Sequence, residues 1–188
     1  MNVYDFDGTI YRGDSSVDFY VYCLKRFPWI IVCLPYQLGM IALYKLNLCT
    51  KETEKSAFFS FLNMVPDVET VVVSFWNRYI RKIAVWYGKQ QRDDDVIISA
   101  SPDFLLVPAG QILGVQSVIA SEVDCQTGRF LRKNCHGMEK VTMFRALYPE
   151  AHVSAFYSDS ESDEPMARIA ENAYMVKKYN KIVKWKLV

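Results

Sequence analysis

Asp5 and Asp7, separated by one phenylalanine and followed at once by Gly8 and Thr9, are the residues in this chain best suited to do chemistry. The residues before them, Asn2-Val3-Tyr4, read as a short strand. In extended backbone, positions i and i+2 face the same side, so the two carboxylates are expected to leave the strand end together, aimed at one spot. Like charges held that close are costly unless a cation or a shared proton lies between them. Gly8 supplies permissive backbone just after them. Paired acids at a strand's carboxyl end, with a glycine turn behind, point to metal-assisted chemistry at the top of an α/β sheet. The plain alternative is an ordinary turn, because Asp, Gly and Thr are common turn formers. Partners further along the chain decide between the two.

Three such partners occur in order. Ser99 ends the apolar strand Val96-Ile97-Ile98 at the turn into a helix. A hydroxyl there, beside helix N-terminal N–H groups, suits a bound phosphate. Lys140 lies in Gly137-Met138-Glu139-Lys140, near a helix start, where a compact cation can reach a dianion. The run Ser158-Asp159-Ser160-Glu161-Ser162-Asp163 follows the strand ending at Tyr157, and Asp159 and Asp163 can both face the first two acids. Several oxygen ligands around one hard cation fit Mg²⁺; Zn²⁺ would want His or Cys. Singly, each is a cap, a solvated charge or a loop. Together, each at a strand end or a helix start, they form a site.

The elements that must position these residues follow from periodicity. Asp14 and Ser15 are plausible caps for a helix through Phe27, and Thr50 caps another over 51–64. From Asp67 to Lys89, Val68, Val72, Phe75, Trp76, Tyr79, Ile83, Trp86 and Tyr87 recur at helical steps and read as core packing on one continuous helix. Ser101 as cap and Pro102 at the first helical position open a helix to Leu113, stopped by Gly114. Val115 to Ala120 is strand-like, and 122–131 reads as a hairpin turning at Thr127-Gly128. Helices are expected over 138–148 and 164–172, with strands at 152–157 and 173–176. Strands alternating with helices imply a mostly parallel sheet covered on both faces, interrupted after its first strand by a helical block at 14–91. The domain reading is therefore a core of 1–13 and 92–188 and an inserted helical domain of 14–91.

The 188 residues, 51% hydrophobic, suffice for one domain with an insertion. A net charge of +1 argues against a dedicated nucleic-acid binder. Five cysteines without CxxC spacing read as buried or idle thiols of a reducing compartment, consistent with a cytoplasmic protein. His136 and His152 lack metal-ligand spacing and read as structural or surface residues. The stretch 27–44 carries no charge, but Pro28, Pro35, Gln37 and Gly39 weaken a spanning helix. A buried helix pair and one lying on a membrane surface are the readings left open, the latter making the protein peripheral to the membrane. The sequence carries no signal for oligomeric state.

With these residues in hand, the chain resembles the haloacid dehalogenase superfamily of phosphatases, in its phosphoserine-phosphatase-like branch. Asp5-Phe6-Asp7-Gly8-Thr9 is similar to its first motif, Ser99 to its second, Lys140 to its third, and Asp159 with Asp163 to its fourth. The resemblance covers essentially the whole chain, and the block at 14–91 resembles the family's all-helical C1 cap. It departs at Ala100 and Ser158, where that branch usually has glycine, which touches the shape of the phosphate pocket and not its catalytic side chains.

The resemblance implies a three-layer Rossmann-like core and a Mg²⁺-dependent phosphomonoester hydrolase working through an aspartyl-phosphate. It makes Asp5 the nucleophile and Asp7 the general acid and base. Ser99 and Lys140, with Gly8 and Ala100, would hold the phosphate. Asp5, the Asp7 carbonyl and Asp159, with Asp163 beside them, would hold the metal. Asp14, nine residues after Asp5, matches an acid that meets the substrate amino group, and equally reads as a helix cap. A small phosphorylated metabolite is the leading substrate. A lipid phosphate such as phosphatidylglycerophosphate is the alternative, given the uncharged stretch at 27–44. A phosphate- or Mg²⁺-binding regulatory module without turnover is the reading from another class, and intact side chains at all four motifs speak against it.

Overall fold

A computed structural model describes residues 1–177 and 181–186. Six strands form one sheet: β1 (Asn2–Tyr4), β2 (Val96–Pro102), β3 (Ser117–Ser121), β4 (Val153–Ser158), β5 (Ala170–Lys177) and β6 (Lys181–Lys184). Their order is β3-β2-β1-β4-β5-β6, parallel throughout except for the antiparallel edge strand β6, which the sequence does not announce. β1 is central, flanked by β2 and β4, so the chain reverses its direction of winding beside it. That is where α/β sheets open a crevice at their carboxyl ends.

Alternation along the strands divides the core into two layers. Tyr4 and Ile97 face a cluster with Leu105, Leu106 and Ala109 of the helix Asp103–Leu113. Val3, Val96, Ile98 and Phe156 face the other side, against Phe144 of Met138–Leu147 and Met166 and Ala167 of Glu164–Arg168. Helices on both faces of the sheet give the three-layer sandwich.

All elements between β1 and β2 are helical. They are α1 (Ser15–Arg26), a 3₁₀ turn at Pro28–Cys33, α2 (Leu34–Lys45), α3 (Lys51–Phe58), a 3₁₀ turn at Phe59–Met64, α4 (Val68–Tyr79), a 3₁₀ turn at Ile80–Lys82, and α5 (Val85–Gln90). Helices α6 (Asp103–Leu113), α7 (Met138–Leu147) and α8 (Glu164–Arg168) follow. Thr50, Asp14 and Asp67 cap α3, α1 and α4 through their side chains.

Four expectations need correction. The continuous helix over 67–89 breaks after Tyr79, because the chain there returns to its point of departure. Ile83 bridges Tyr11, the Arg12 N–H donates to Lys82 O (3.0 Å) and the Ala84 N–H to Ile10 O (2.7 Å). The helix over 164–172 ends at Arg168, because Ala170 and Asn172 pair with Val153 and Ala155 of β4. Pro102 closes β2 instead of opening a helix, since the Ser101 hydroxyl that was to cap it is bound to Asp7. The stretch at 27–44 is not a buried pair: within Pro28–Leu48, only Ile30 and Gln37 are buried. Among the described residues no single helix is long and apolar enough to cross a bilayer.

Candidate active site

Every motif residue singled out above lines or adjoins one cavity of about 320 Å³ at the carboxyl ends of β1, β2 and β4. Asp5 follows β1, its N–H donating to Tyr157 O (2.9 Å) as the ladder's last rung. Beyond it the chain turns, with the Thr9 and Tyr11 N–H groups both reaching back to Phe6 O (3.3 and 2.8 Å). Asp5 and Asp7 therefore do not leave an extended strand side by side, as the spacing alone predicts. They line the same cavity with different partners.

The Asp5 carboxylate accepts from Lys140 Nζ (2.7 Å) and from Thr9 Oγ1 (3.2 Å). Lys140 rises from the first turn of α7, 2% exposed, and also donates to Asp163 Oδ2 (2.7 Å). Burial pushes Asp5 above the usual carboxylate range, and Lys140 pulls it back. Burial opposes the charge on Lys140, yet Asp5 and Asp163 outweigh it and hold its pKa above the ordinary lysine value. A cation between two buried acids is the centre of the site.

The Asp7 carboxylate faces the insertion. Its Oδ1 accepts from the Ser15 N–H (2.6 Å) and its Oδ2 from the Ser101 hydroxyl (2.5 Å). Burial, reinforced by the Asp14 carboxylate, pushes Asp7 up to about 7. An acid with that pKa exchanges a proton readily near neutrality. Asp14 caps α1 through its bond to the Val17 N–H (2.9 Å) and also lines the cavity.

Ser99 sits in a bulge. The β2–β3 register runs from Ile98↔Ile119 to Pro102↔Ser121, leaving Ser99, Ala100 and Ser101 opposite Ala120 alone. The bulge turns them out of the ladder toward the cavity. The buried Ser99 Oγ accepts from the Ser101 N–H (3.2 Å). At Ala100, where glycine was expected, the carbonyl serves as an acceptor for the Ser121 hydroxyl (3.1 Å) and Lys55 Nζ (2.9 Å). At Ser158 the hydroxyl donates to Asp163 Oδ2 (2.7 Å), a bond glycine could not supply.

Gly8 fixes the approach of the fourth motif. Its φ is +72°, and a Cβ built on it would lie 1.9 Å from Asp159 Oδ2. Only glycine lets that carboxylate come so near the Asp5–Asp7 turn. Burial, then the nearby Asp163, pushes Asp159 up. Among the described residues no three His, Cys, Asp or Glu side chains converge into a closed cage. Mg²⁺ does not need one: it keeps several waters and takes one or two carboxylates together with substrate oxygens. Asp5 and Asp159 on one cavity wall fit that donor set. Asp163 lines the same cavity, its Oδ2 accepting from Lys140 and Ser158.

Sequence reasoning missed Lys55. It extends from α3 to the core, donating to Ala100 O (2.9 Å) and Asn134 Oδ1 (2.9 Å), and lines the cavity. Burial, with Lys51 nearby, pushes it down to about 8. Helical spacing carries no signal for it, because its partners are distant in sequence. His136 also lines the cavity, whereas His152 is on the surface beside Glu171 (3.5 Å). All five cysteines are free; Cys23 and Cys135 are buried thiols pushed up to about 12.

A family model for haloacid dehalogenase-like hydrolases matches residues 3–168. The chain belongs to the haloacid dehalogenase-like hydrolases. It is 28% identical to Protein CicA of Caulobacter vibrioides, over 89% of this chain and 82% of that protein. Its fold is similar to that of a protein of unknown function from Bordetella pertussis Tohama I, with a TM-score of 0.75 at 20% identity, covering 92% of this chain and 87% of that one. A probable phosphoserine phosphatase from Vibrio cholerae shares the fold at a TM-score of 0.66 and 11% identity, over 92% of this chain and 55% of that one. The family match runs from β1 to α8, so it takes in the whole cavity wall and the insertion.

Proposed function

We propose that this hydrolase is a phosphatase that cleaves phosphomonoesters through an aspartyl-phosphate on Asp5. The observation that carries the reading is the buried Asp5 carboxylate at the end of the central strand, held by Lys140, with Asp7 at near-neutral pKa in the same cavity. In the first step an Asp5 oxygen attacks phosphorus, the P–O ester bond breaks, and Asp7 gives its proton to the leaving oxygen. In the second a water attacks the phosphorus, Asp7 takes its proton, the acyl-phosphate P–O bond breaks, and Asp5 and inorganic phosphate are restored. Lys140 and the Ser99 hydroxyl hold the oxygens on which charge spreads. Asp163 keeps Lys140 aimed and charged. Asp5, the Asp7 carbonyl and Asp159 would hold Mg²⁺, which when bound would supply the charge neutralisation that lets an anionic nucleophile meet an anionic phosphate.

The helical insertion acts as the cap that selects the leaving group. The cavity's size and its lining by Asp14, Ser16, Lys51, Glu54 and Lys55 support a small, polar phosphorylated metabolite. The test is phosphate release from a generic aryl phosphate by the full chain and by Asp5→Asn. Turnover should vanish in the variant while a cooperative melting transition shows that it still folds, and turnover by the parent should vanish on chelation. Normal release by Asp5→Asn would refute the nucleophile, and no release by the parent would refute the phosphatase.

A further inference from the structure

Helix α2 is built inside out. In its sequence Leu-Pro-Tyr-Gln-Leu-Gly-Met-Ile-Ala-Leu-Tyr-Lys the one buried residue is the polar Gln37. Its amide donates to Phe58 O (2.9 Å) and its carbonyl accepts from the Tyr20 hydroxyl (3.0 Å), so the helix is anchored by polar bonds. The apolar side chains point away. Leu38 is 56% exposed and Tyr36, Leu43 and Tyr44 are also exposed, flanked by Trp29, Ile31 and Val32 before them and Leu46 (67%) and Leu48 after. Surface helices of globular proteins show the opposite arrangement, and a continuous exposed apolar patch marks an interaction surface.

Charge decides what covers it. Between Asp18 and Glu52 the chain has no acid, and its only charges are Lys25, Arg26, Lys45 and Lys51, which bracket the apolar run on both sides. A second copy of this face would bring those cations against their own kind, because a two-fold contact pairs the same patch with itself. An anionic bilayer instead accepts the leucines into its interfacial region, seats Trp29, Tyr36 and Tyr44 at headgroup level and neutralises the lysines. The face also adjoins the cavity. Tyr44 and Met138 line a second hollow of about 500 Å³ that shares Lys51, Lys55 and His136 with the active site.

We propose that the exposed apolar face of 28–48, bracketed by Lys25, Arg26 and Lys45, docks the protein on anionic membrane surfaces, with the mouth beside Tyr44 toward the headgroups. This goes beyond the phosphatase reading and does not depend on it, since docking is read without turnover. The experiment is flotation of the full chain with vesicles of phosphatidylcholine alone and of phosphatidylcholine with phosphatidylglycerol. Binding should be at least tenfold stronger to the anionic vesicles and should weaken with salt. The double variant Leu38→Glu, Leu46→Glu should bind at least tenfold more weakly while its circular-dichroism spectrum and cooperative melting match the parent's, which reports that it folds. No binding by the parent to anionic vesicles overturns the proposal whatever the variant does. Equal binding by parent and variant overturns it as well. So does a dimer in sedimentation that the double variant dissolves, which would assign the face to a second copy.

Discussion

Replacing Lys140 with methionine keeps the apolar stem, one atom shorter, and removes the ammonium group from between Asp5 Oδ1 and Asp163 Oδ2, each 2.7 Å away. Breaking a buried pair by deleting one partner costs about 3–5 kcal/mol, because the other charge stays buried and unmatched. Here each carboxylate keeps one hydroxyl donor, Thr9 for Asp5 and Ser158 for Asp163. The expected loss is therefore at the lower end, about 3 kcal/mol at pH 8. It should shrink toward pH 5. Burial already holds Asp5 above its unfolded value of 3.8, and without Lys140 pulling it down it rises further. A carboxyl raised in the folded state binds a proton there that the unfolded chain does not, so the variant gains stability as pH falls through the raised pKa. The contribution of Lys140 itself, a group raised above 10.5, is fully present across this range and does not blur the comparison. Urea unfolding of parent and variant at pH 8 and pH 5 measures both terms. A loss under about 1 kcal/mol at pH 8, the worth of an exposed pair, would refute the reasoning. So would an equal loss at both pH values. Turnover of an aryl phosphate should fall about 10²–10³-fold, the typical effect of deleting one donor to transition-state charge.

Two further perturbations test the geometry around this centre. Gly8→Ala places a methyl 1.9 Å from Asp159 Oδ2 at a φ of +72°, so the carboxylate must retreat; activity should drop at least about tenfold, and more Mg²⁺ should be needed for half-maximal rate, whereas an unchanged Mg²⁺ requirement in phosphate-release assays would separate Asp159 from the metal. Lys55→Met removes the bonds from α3 to Ala100 O and Asn134 Oδ1. Lys55 is a lysine whose folded pKa is lowered to about 8, so the parent carries its burial penalty below that pH and sheds it as pH rises toward the unfolded value of 10.5. The parent's melting temperature should thus gain on the variant's between pH 8 and 10, and parallel curves there would sink the assignment of Lys55 as a buried charge at the seam.

The four motifs were legible because each site residue stands where a local pattern changes. Asp5 follows a short strand-forming triplet, Ser99 ends a β-branched run, Lys140 sits in a first helical turn and Asp159 succeeds a strand; such junctions are written in neighbouring residues. What escaped depends on partners far along the chain. The stripe from Val68 to Tyr87 is helical by period, yet the pull of Ile10 and Tyr11 on Ala84 and Ile83 breaks it. Ala170 to Asn172 have helical propensity, and β4 makes them strand. Ser101 has the look of a helix cap, and Asp7 claims its hydroxyl. The same claim separates the two acids that the Asp-x-Asp spacing had pointed one way. Asp5 is drawn to Lys140 of a core helix, and Asp7 both to Ser15 of the insertion and to Ser101 of β2. The surroundings of Asp7 set its proton affinity: burial and then Asp14 raise it, while hydrogen bonds from Ser101 of the core and Ser15 of the insertion lower it. Any movement of the insertion away from the core would remove the Ser15 bond and the Asp14 charge and admit water, leaving Ser101 as the partner of Asp7. The acid proposed to carry the proton is thus tuned in part by the insertion proposed to meet the substrate, a coupling that no spacing in the motif records.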